Sequence, residues 1–269
     1  MSLKFTIFGS KGFIGSKLVE YLTSQGIECD TPDIHDETIY RRSLGHVIYA
    51  IGITSDFRER PFDTVKSHVC LLNDFFKKSN FDSFLYLSST RIYSNSTSTN
   101  EENSLHVNPA NFSDLYNISK IMGESICLSF KNSNIRIARL SNVVGKNIES
   151  NDFLFSIIKD AVFKKNIKLC TDPNSEKDYI YVDDVVKILP RISQNGDYRI
   201  YNVGSGKNTA VKDIVYELKK ITGCSVNFDT NSKLHSFPEI SINRVIDEFD
   251  FNPSELLSKI KEIVSMCKN

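Results

Sequence analysis

Apolar and polar residues follow one another along the chain in a rhythm that predicts strands and helices in turn. Short apolar runs bounded by turn residues predict strands at Leu3–Phe8, Ile27–Thr31, His46–Ala50, Phe84–Ser88 and Ile135–Leu140. Apolar positions at helical spacing predict helices at Phe13–Gln25, Thr64–Lys78 and Asn117–Phe130. This alternation is typical of a mostly parallel sheet covered by helices. The segment from Pro32 to Gly45 is short, so we expect a strand there to be reduced or missing.

After Gly145 the alternation is less regular. Helices are predicted at Phe153–Lys165, Val182–Ile192, Ala210–Thr222 and Ser254–Met266, with short strands near Lys168–Cys170, Tyr179–Tyr181 and Tyr198–Asn202. The expected fold class is therefore α/β: a doubly wound parallel sheet with a smaller C-terminal α+β lobe. We place the first domain at residues 1–145 and the second mainly at 146–269, with the chain crossing back near residues 168–203.

The charge balance argues against partners that need a strong overall field. Lys+Arg and Asp+Glu both number 33 in the 269 residues, so no net charge favours nucleic acid or an anionic membrane. The N-terminus runs straight into a predicted strand, and no apolar run approaches the length of a membrane span. We expect a cytoplasmic protein that binds neither nucleic acid nor membrane.

The cysteines argue against a metal or disulfide framework. Six are scattered without paired spacing, and we expect them to be buried, reduced thiols: Cys29, Cys70, Cys127, Cys170, Cys224 and Cys267. No metal site is expected.

A glycine-rich turn follows the first strand and opens the first helix. Gly9 permits a tight turn, Gly12 lets a ligand approach the backbone, and Gly15 lets the helix lie close to the sheet. Free backbone N–H groups and the positive helix end in such a turn suit a pyrophosphate. The residues expected to bind a dinucleotide are Gly9, Lys11, Gly12, Phe13, Ile14, Gly15 and, at the end of the third strand, Ala50.

Charged residues near this turn leave the form of the dinucleotide open. Asp33 lies near the end of the second strand, where a carboxylate accepts hydrogen bonds from ribose hydroxyls and repels a 2′-phosphate, so it favours NAD. Lys11, Arg41 and Arg42 could pair with that phosphate and favour NADP. NAD is slightly preferred.

Tyr116 and Lys120 form the candidate proton-transfer group, because on a helix they lie on one face one turn apart. A phenol titrates near pH ~10, so a base near neutrality needs a shift of about three units, on the order of 4 kcal/mol. A nearby ammonium and an oxidised nicotinamide both favour the phenolate. Ser89, at the end of the fourth strand, would hydrogen-bond the same substrate oxygen. The catalytic residues expected are Ser89, Tyr116 and Lys120, with the latter two also touching the dinucleotide.

Nearly the whole chain resembles the extended short-chain dehydrogenase/reductase family of nucleotide-sugar epimerases and dehydratases. The matching segments are Gly9–Gly15, Ser88–Tyr93, Tyr116–Lys120, Arg139–Gly145, Lys177–Asp184 and Tyr201–Gly206. The resemblance implies a Rossmann-type first domain, a C-terminal substrate lobe, and a homodimer through the helices Thr64–Lys78 and Asn117–Phe130. It also implies that Asn142 and Lys177 contact a substrate diphosphate, with Lys233 the nearest candidate for a missing phosphate-binding arginine.

The residues after Ser89 restrict the chemistry. The family's 4,6-dehydratases have an Asp-Glu pair where this chain has Thr90 and Arg91, and neither can serve as that acid and base. A cysteine that the 3,5-epimerase/reductase branch places near Arg91 is also missing. Thr90 and Ser89 remain as substrate-binding residues.

Two reactions need only the remaining set: a 4-epimerase with tightly held NAD, or an NADPH-dependent 4-ketoreductase. Asp33 favours the first and Lys11 the second, and the prediction is the epimerase. A third hypothesis is a non-catalytic dinucleotide sensor, against which the retention of Ser89, Tyr116 and Lys120 argues.

Overall fold

The computed structural model describes residues 3–54, 56–145 and 152–268. Eleven strands are found in these ranges: β1 (Lys4–Phe8), β2 (Glu28–Asp30), β3 (His46–Tyr49), β4 (Ser83–Ser89), β5 (Ile135–Leu140), β6 (Asn142–Val144), β7 (Asn166–Thr171), β8 (Glu176–Tyr181), β9 (Ile200–Val203), β10 (Asn208–Ala210) and β11 (Ser225–Lys233). The α-helices of the same ranges are α1 (Phe13–Ser24), α2 (Pro61–Val65), α3 (Leu71–Lys78), α4 (Leu115–Ser129), α5 (Phe153–Lys159), α6 (Val182–Asn195), α7 (Val211–Thr222), α8 (Asn243–Phe249) and α9 (Leu256–Lys268).

The main sheet is parallel throughout and has the order β2-β1-β3-β4-β5-β9. The fold class predicted from the sequence is confirmed, because this is the sheet of a Rossmann-type domain. The short β2 forms one edge. The following segment holds a 3₁₀ turn at Glu37–Arg41 and only an isolated bridge from Ser43 to Asn80, so the expected missing strand is indeed absent there.

Alternating side chains of the strands form two cores, one on each face of the sheet. On one face Phe5, Ile7 and Leu85 pack with α1 and α6. On the other, Phe84 and Tyr86 pack with α3 and α4. This period-two division explains why the strands are nearly continuous apolar runs.

The C-terminal residues form a third core, and part of this chain returns to the core that contains α1 and α6. Buried residues of α5, β7, α7 and α9 make one cluster. A three-stranded sheet β10-β8-β6 and a two-stranded sheet β11-β7 accompany it. Strand β9 joins the main sheet, and Val245 and Phe249 of α8 pack into the first core. Helix α6 and strand β9 both pack with strands of the main sheet.

The helix predicted at Thr64–Lys78 differs in detail. It begins at Pro61 and contains a π-helical turn, Lys66–Cys70, between α2 and α3. A π-turn inserts an extra residue into the helix and occurs frequently at functional sites. His68 lies in this turn and is fully buried.

The expectation that every cysteine is buried is wrong. All six thiols are free, but Cys70 and Cys170 are exposed, since Cys70 lies on the outer side of its π-turn and Cys170 is an outward position of β7. Within the described ranges, no cluster of three His, Cys, Asp or Glu side chains could hold a metal ion. No described helix has both the length and the apolar character needed to cross a bilayer.

Candidate active site

A cleft of about 440 Å³ lies at the carboxyl ends of the parallel strands, where ligands bind in folds of this type. Its floor is the turn before α1 and the loop after β3, and its walls come from the ends of β4 and β5, from α4 and from β8. The predicted residues that line it are Gly12, Phe13, Ile14, Gly15, Ala50, Ser89, Thr90, Tyr116, Lys120, Asn142 and Lys177. The chain therefore brings most of its predicted site residues into one place.

The glycine turn fits a pyrophosphate. Gly9 has φ of +82°, and a Cβ there would lie 2.7 Å from the Ala50 carbonyl. The positive φ and the closeness of Ala50 therefore require glycine at position 9. A Cβ on Gly15 would overlap the carbonyl oxygen of Gly9, so the close approach of α1 to the turn requires glycine there too. Helix α1 has no side-chain cap and no acidic residue in its first turn. Its free N–H groups therefore face the cleft, as a nicotinamide dinucleotide requires.

Ser89, Tyr116 and Lys120 converge at one end of the cleft. Ser89 ends β4, and its Oγ accepts a hydrogen bond from the Arg91 backbone N–H. Its side chain also lies near enough to the Tyr116 phenol to lower the pKa of that group against the effect of burial. Tyr116 and Lys120 are both buried on α4. The Lys120 Nζ donates to the Leu87 carbonyl oxygen at 2.9 Å and lies 6.0 Å from the centre of the Tyr116 ring.

Burial governs the acidity of both groups. Burial raises the pKa of Tyr116, and both the Ser89 side chain and the charge of Arg91 act to lower it. The same effect lowers the pKa of Lys120 to about 7, opposed by the carboxylate of Glu124. The cation that opposes the effect of burial on the Tyr116 pKa is therefore Arg91.

His68 connects the loop after β3 to helix α4 through a chain of hydrogen bonds. Its Nε2 accepts from the Ile53 backbone N–H at 3.3 Å, so the proton of the neutral ring is on Nδ1. Nδ1 lies 2.8 Å from the Ser119 Oγ, which donates to the Tyr116 carbonyl oxygen at 2.8 Å. The imidazole also meets the Tyr116 ring edge-on at 5.4 Å. Sequence reasoning missed this residue, because the π-turn that brings it here leaves no sequence signal.

The buried imidazole predicts an acid-dependent loss of stability. Burial and the Lys120 charge lower the pKa of His68 from 6.5 to about 2. Below pH 6.5 the unfolded chain binds a proton that the folded chain excludes, so the free energy of unfolding should fall with pH by about 1.4 kcal/mol per unit from this group alone. Urea denaturation between pH 7 and 5 measures the slope.

His68→Gln should remove most of that slope even if the variant is less stable at pH 7. His46→Gln is the matched control. Burial lowers the pKa of His46 as well, but this side chain is only partly buried, whereas His68 is fully buried. An unchanged slope in His68→Gln contradicts the assignment of a neutral His68.

At the end of the cleft formed by β6 and β8, several hydrogen bonds meet at Asp178. Its carboxylate accepts hydrogen bonds from the backbone N–H groups of Ser205, Gly206 and Lys207 at 2.7–3.2 Å. The Asn142 Nδ2 donates to the Asp178 carbonyl oxygen at 2.7 Å. These contacts join β6, β8 and the turn after β9, which explains why three separate motifs of the sequence serve one site.

Four predicted residues do not line this cleft. Gly9 lies beneath it, and Lys11 is exposed in the turn. The Asp33 carboxylate accepts a hydrogen bond from the His35 backbone N–H on the exposed segment after β2. Lys233 is exposed at the end of β11, in the small sheet with β7. The position of Asp33 after β2 and the family resemblance for Lys233 predict roles in ligand binding, and both residues lie outside the residues that line this cleft.

Ser141 is a cleft residue that the sequence did not single out. Its Oγ is buried and has no hydrogen-bond partner among the described residues. An unpaired buried hydroxyl facing a cleft is suited to a bound ligand.

One family model and two curated proteins match parts of the chain. The model of the NAD dependent epimerase/dehydratase family matches residues 37–204. UDP-arabinose 4-epimerase 1 of Arabidopsis thaliana is 30% identical over 157 residues, which cover 49% of this chain and 36% of that protein. A probable UDP-arabinose 4-epimerase 1 of Oryza sativa subsp. japonica is 30% identical over 143 residues, covering 42% and 34%. The matches thus span about a third of the length of these relatives.

Solved structures share the fold over nearly the whole chain. An NAD-dependent NDP-hexosamine 5,6-dehydratase of tunicamycin biosynthesis superposes with a TM-score of 0.85 at 17% identity, covering 99% of this chain and 98% of its own. RMD from Pseudomonas aeruginosa, complexed with NADPH, gives 0.81 at 19%, covering 99% and 100%. A UDP-glucuronic acid 4-epimerase from Bacillus cereus, bound to NAD, gives 0.79 at 18%, covering 98% and 99%.

Proposed function

Because the chain belongs to the NAD dependent epimerase/dehydratase family, we propose that it is an NAD(P)-dependent nucleotide-sugar epimerase that acts by transient oxidation at C4 of the sugar. The observation that carries the proposal is the convergence of Ser89, Tyr116 and Lys120 on a cleft whose floor is a glycine turn. The relatives and structural neighbours that bind a nicotinamide dinucleotide hold either NAD or NADPH.

In this proposal Tyr116 takes the proton of the C4 hydroxyl group and later returns it. Ser89 hydrogen-bonds the same oxygen, so it stabilises the charge that develops there. The bound nicotinamide supplies hydride transfer to and from C4. The phenol is neutral at rest because burial raises its pKa. The base form therefore depends on the positive charges that surround it in the loaded site.

Other side chains of the cleft would orient the substrate. Thr90, Asn142 and Lys177 line its substrate end, and we assign them to the sugar and its diphosphate. Asp33 and Lys233 have no part in this proposal, since they lie outside the cleft. For the homodimer through α3 and α4 that the resemblance implies, the supporting observation is the exposed side chains of Met122 and Leu128 on α4 and of Phe130 just after it.

The test is an anaerobic incubation of the purified enzyme with candidate UDP-sugars and NAD. We expect the C4 epimer to form while the absorbance at 340 nm stays constant, because hydride is taken and returned within one turnover. Net consumption of a reduced dinucleotide with a 4-keto sugar would contradict the epimerase and identify a reductase.

One observation favours the reductase as the second candidate. The Asp30 carboxylate ends β2, 2.6 Å from the Arg42 guanidinium and 3.7 Å from the Lys4 Nζ. These cations offset the negative charge that would repel a 2′-phosphate. NADPH, the usual hydride donor for a reductase, is therefore compatible with this edge of the sheet, and the incubation described above separates the two reactions.

A further inference from the structure

Arg91 places a positive charge beside the proton-transfer group. It follows β4 in a 3₁₀ turn, lines the cleft and is half-buried. Its guanidinium carbon lies 4.9 Å from the centre of the buried Phe57 ring and 5.6 Å from that of Tyr116. Two aromatic faces therefore hold the guanidinium in position before any ligand binds.

Among the residues that the structure describes, this guanidinium has no anionic partner. Across the described ranges it makes neither an ion pair nor a side-chain hydrogen bond. The acid that acts on it is Asp114, whose two oxygens accept from the Asn108 backbone N–H and the Asn117 Nδ2. The charges of Arg58 and Lys177 around it are positive. Burial and the Arg58 charge lower the pKa of Arg91 more than Tyr116 and Asp114 raise it, so the described residues offset only part of the cost of its desolvation.

The position of Arg91 relative to Tyr116 indicates which part of the substrate it meets. Tyr116 and Ser89 converge on the oxygen of the reacting carbon. In a hexopyranose, C4 lies across the ring from the anomeric carbon that carries the diphosphate. A second cation, Lys177 on β8, lies over the Phe237 ring and is available for that diphosphate. A cation packed against Tyr116 instead meets a substituent on a carbon next to C4.

We propose that Arg91 binds a carboxylate at C5 of the sugar, so that the substrate class is a nucleotide-linked uronic acid. The inference rests on the proposed function, because it takes Tyr116 as the group at C4. A guanidinium donates two parallel hydrogen bonds to a carboxylate, a pairing that no hydroxymethyl group can match. The chain as a whole has no net charge, so this selectivity comes from the local cation.

Three commercial nucleotides test the proposal because they differ only at C5. UDP-glucuronate carries a carboxylate there, UDP-glucose a hydroxymethyl group and UDP-xylose a hydrogen. Calorimetric titration of each into the NAD-saturated enzyme gives its affinity, with UDP alone as the reference. We expect UDP-glucuronate to bind roughly 10- to 100-fold more tightly than the other two, as for a charge-assisted bidentate pair.

Matched variants identify the residue responsible. Arg91→Gln should bring the three affinities within about threefold of one another. Arg58→Gln is the control, because Arg58 also stacks on Phe57, at 4.4 Å, but is exposed and outside the cleft. It should leave the preference intact. Lys177→Gln should weaken all three UDP-sugars alike and preserve their ratio.

Each other outcome overturns the inference in its own way. Equal binding by the native enzyme excludes carboxylate recognition. Tightest binding of UDP-xylose means that Arg91 fills the space of the C5 substituent. Equal weakening of all three sugars in Arg91→Gln assigns the residue to the diphosphate. Failure of all three to bind better than UDP contradicts the proposed function itself, whereas the first three results leave it standing.

Discussion

Replacing Tyr116 with phenylalanine is expected to lower kcat by about 10²- to 10⁴-fold, the usual contribution of a positioned acid–base group. The variant removes only the hydroxyl group. The ring keeps its contacts with Phe57 at 5.3 Å and with the His68 imidazole at 5.4 Å. The loss should therefore fall on kcat, while the melting temperature and NAD affinity change little. Initial rates of epimer formation, together with NAD titration, measure both.

Tyr216→Phe is the matched control, because it makes the same chemical change on the exposed face of α7. It should leave the rate unchanged. If Tyr116→Phe retained full turnover with every UDP-sugar that the native enzyme converts, the catalytic role of Tyr116 would be excluded. The hypothesis of a non-catalytic dinucleotide sensor would then gain.

What the sequence reveals depends on the distance over which each contact forms. Tyr116 and Lys120 are one helical turn apart, and the glycine turn is a continuous segment, so spacing alone predicts both. Arg91 reaches Tyr116 through tertiary packing, and His68 does so from a π-turn 48 positions earlier. Neither relation has a sequence signature.

The same principle explains why some elements of the fold are not predicted from the sequence. Strand β11 has polar residues at most positions, so no apolar run in the sequence predicts it. Among the described strands it pairs with β7 alone, in a sheet of two strands. Helix α8 has only seven residues, too few for a clear helical period. Asp33 and Lys233 lie on exposed chain outside the cleft lining, so their roles in binding stay predictions.

The largest change in stability is expected for a buried ion pair between α4 and β5. The Arg139 Nη2 lies 2.7 Å from the Glu124 Oε2, and both side chains are at most 4% exposed. The Ser88 Oγ donates to the Glu124 Oε1 at 2.5 Å, and the Arg139 Nη1 donates to the Tyr93 hydroxyl at 2.6 Å. The pair therefore joins β4, β5 and α4 directly beneath the site.

Glu124→Gln should lower the free energy of unfolding by about 3–5 kcal/mol, because it leaves the Arg139 charge buried without a counter-charge. For a chain of this size the melting temperature should fall by roughly 6–20 °C. The matched control is Glu102→Gln, whose carboxylate pairs with Arg244 at 2.6 Å but is 72% exposed. That change should cost at most about 1 kcal/mol. Urea denaturation measures both.

The double variant Glu124→Gln with Arg139→Met separates charge pairing from packing. Removing both charges should restore part of the lost stability. The loss in the double variant is therefore expected to be smaller than the sum of the losses in the two single variants. Strict additivity would show that the two charges do not interact. The pair also acts on the site, since the Glu124 carboxylate raises the pKa of Lys120 against the effect of burial. Glu124→Gln should therefore lower the Lys120 pKa further below about 7, measurable by NMR titration of its ε-methylene signals.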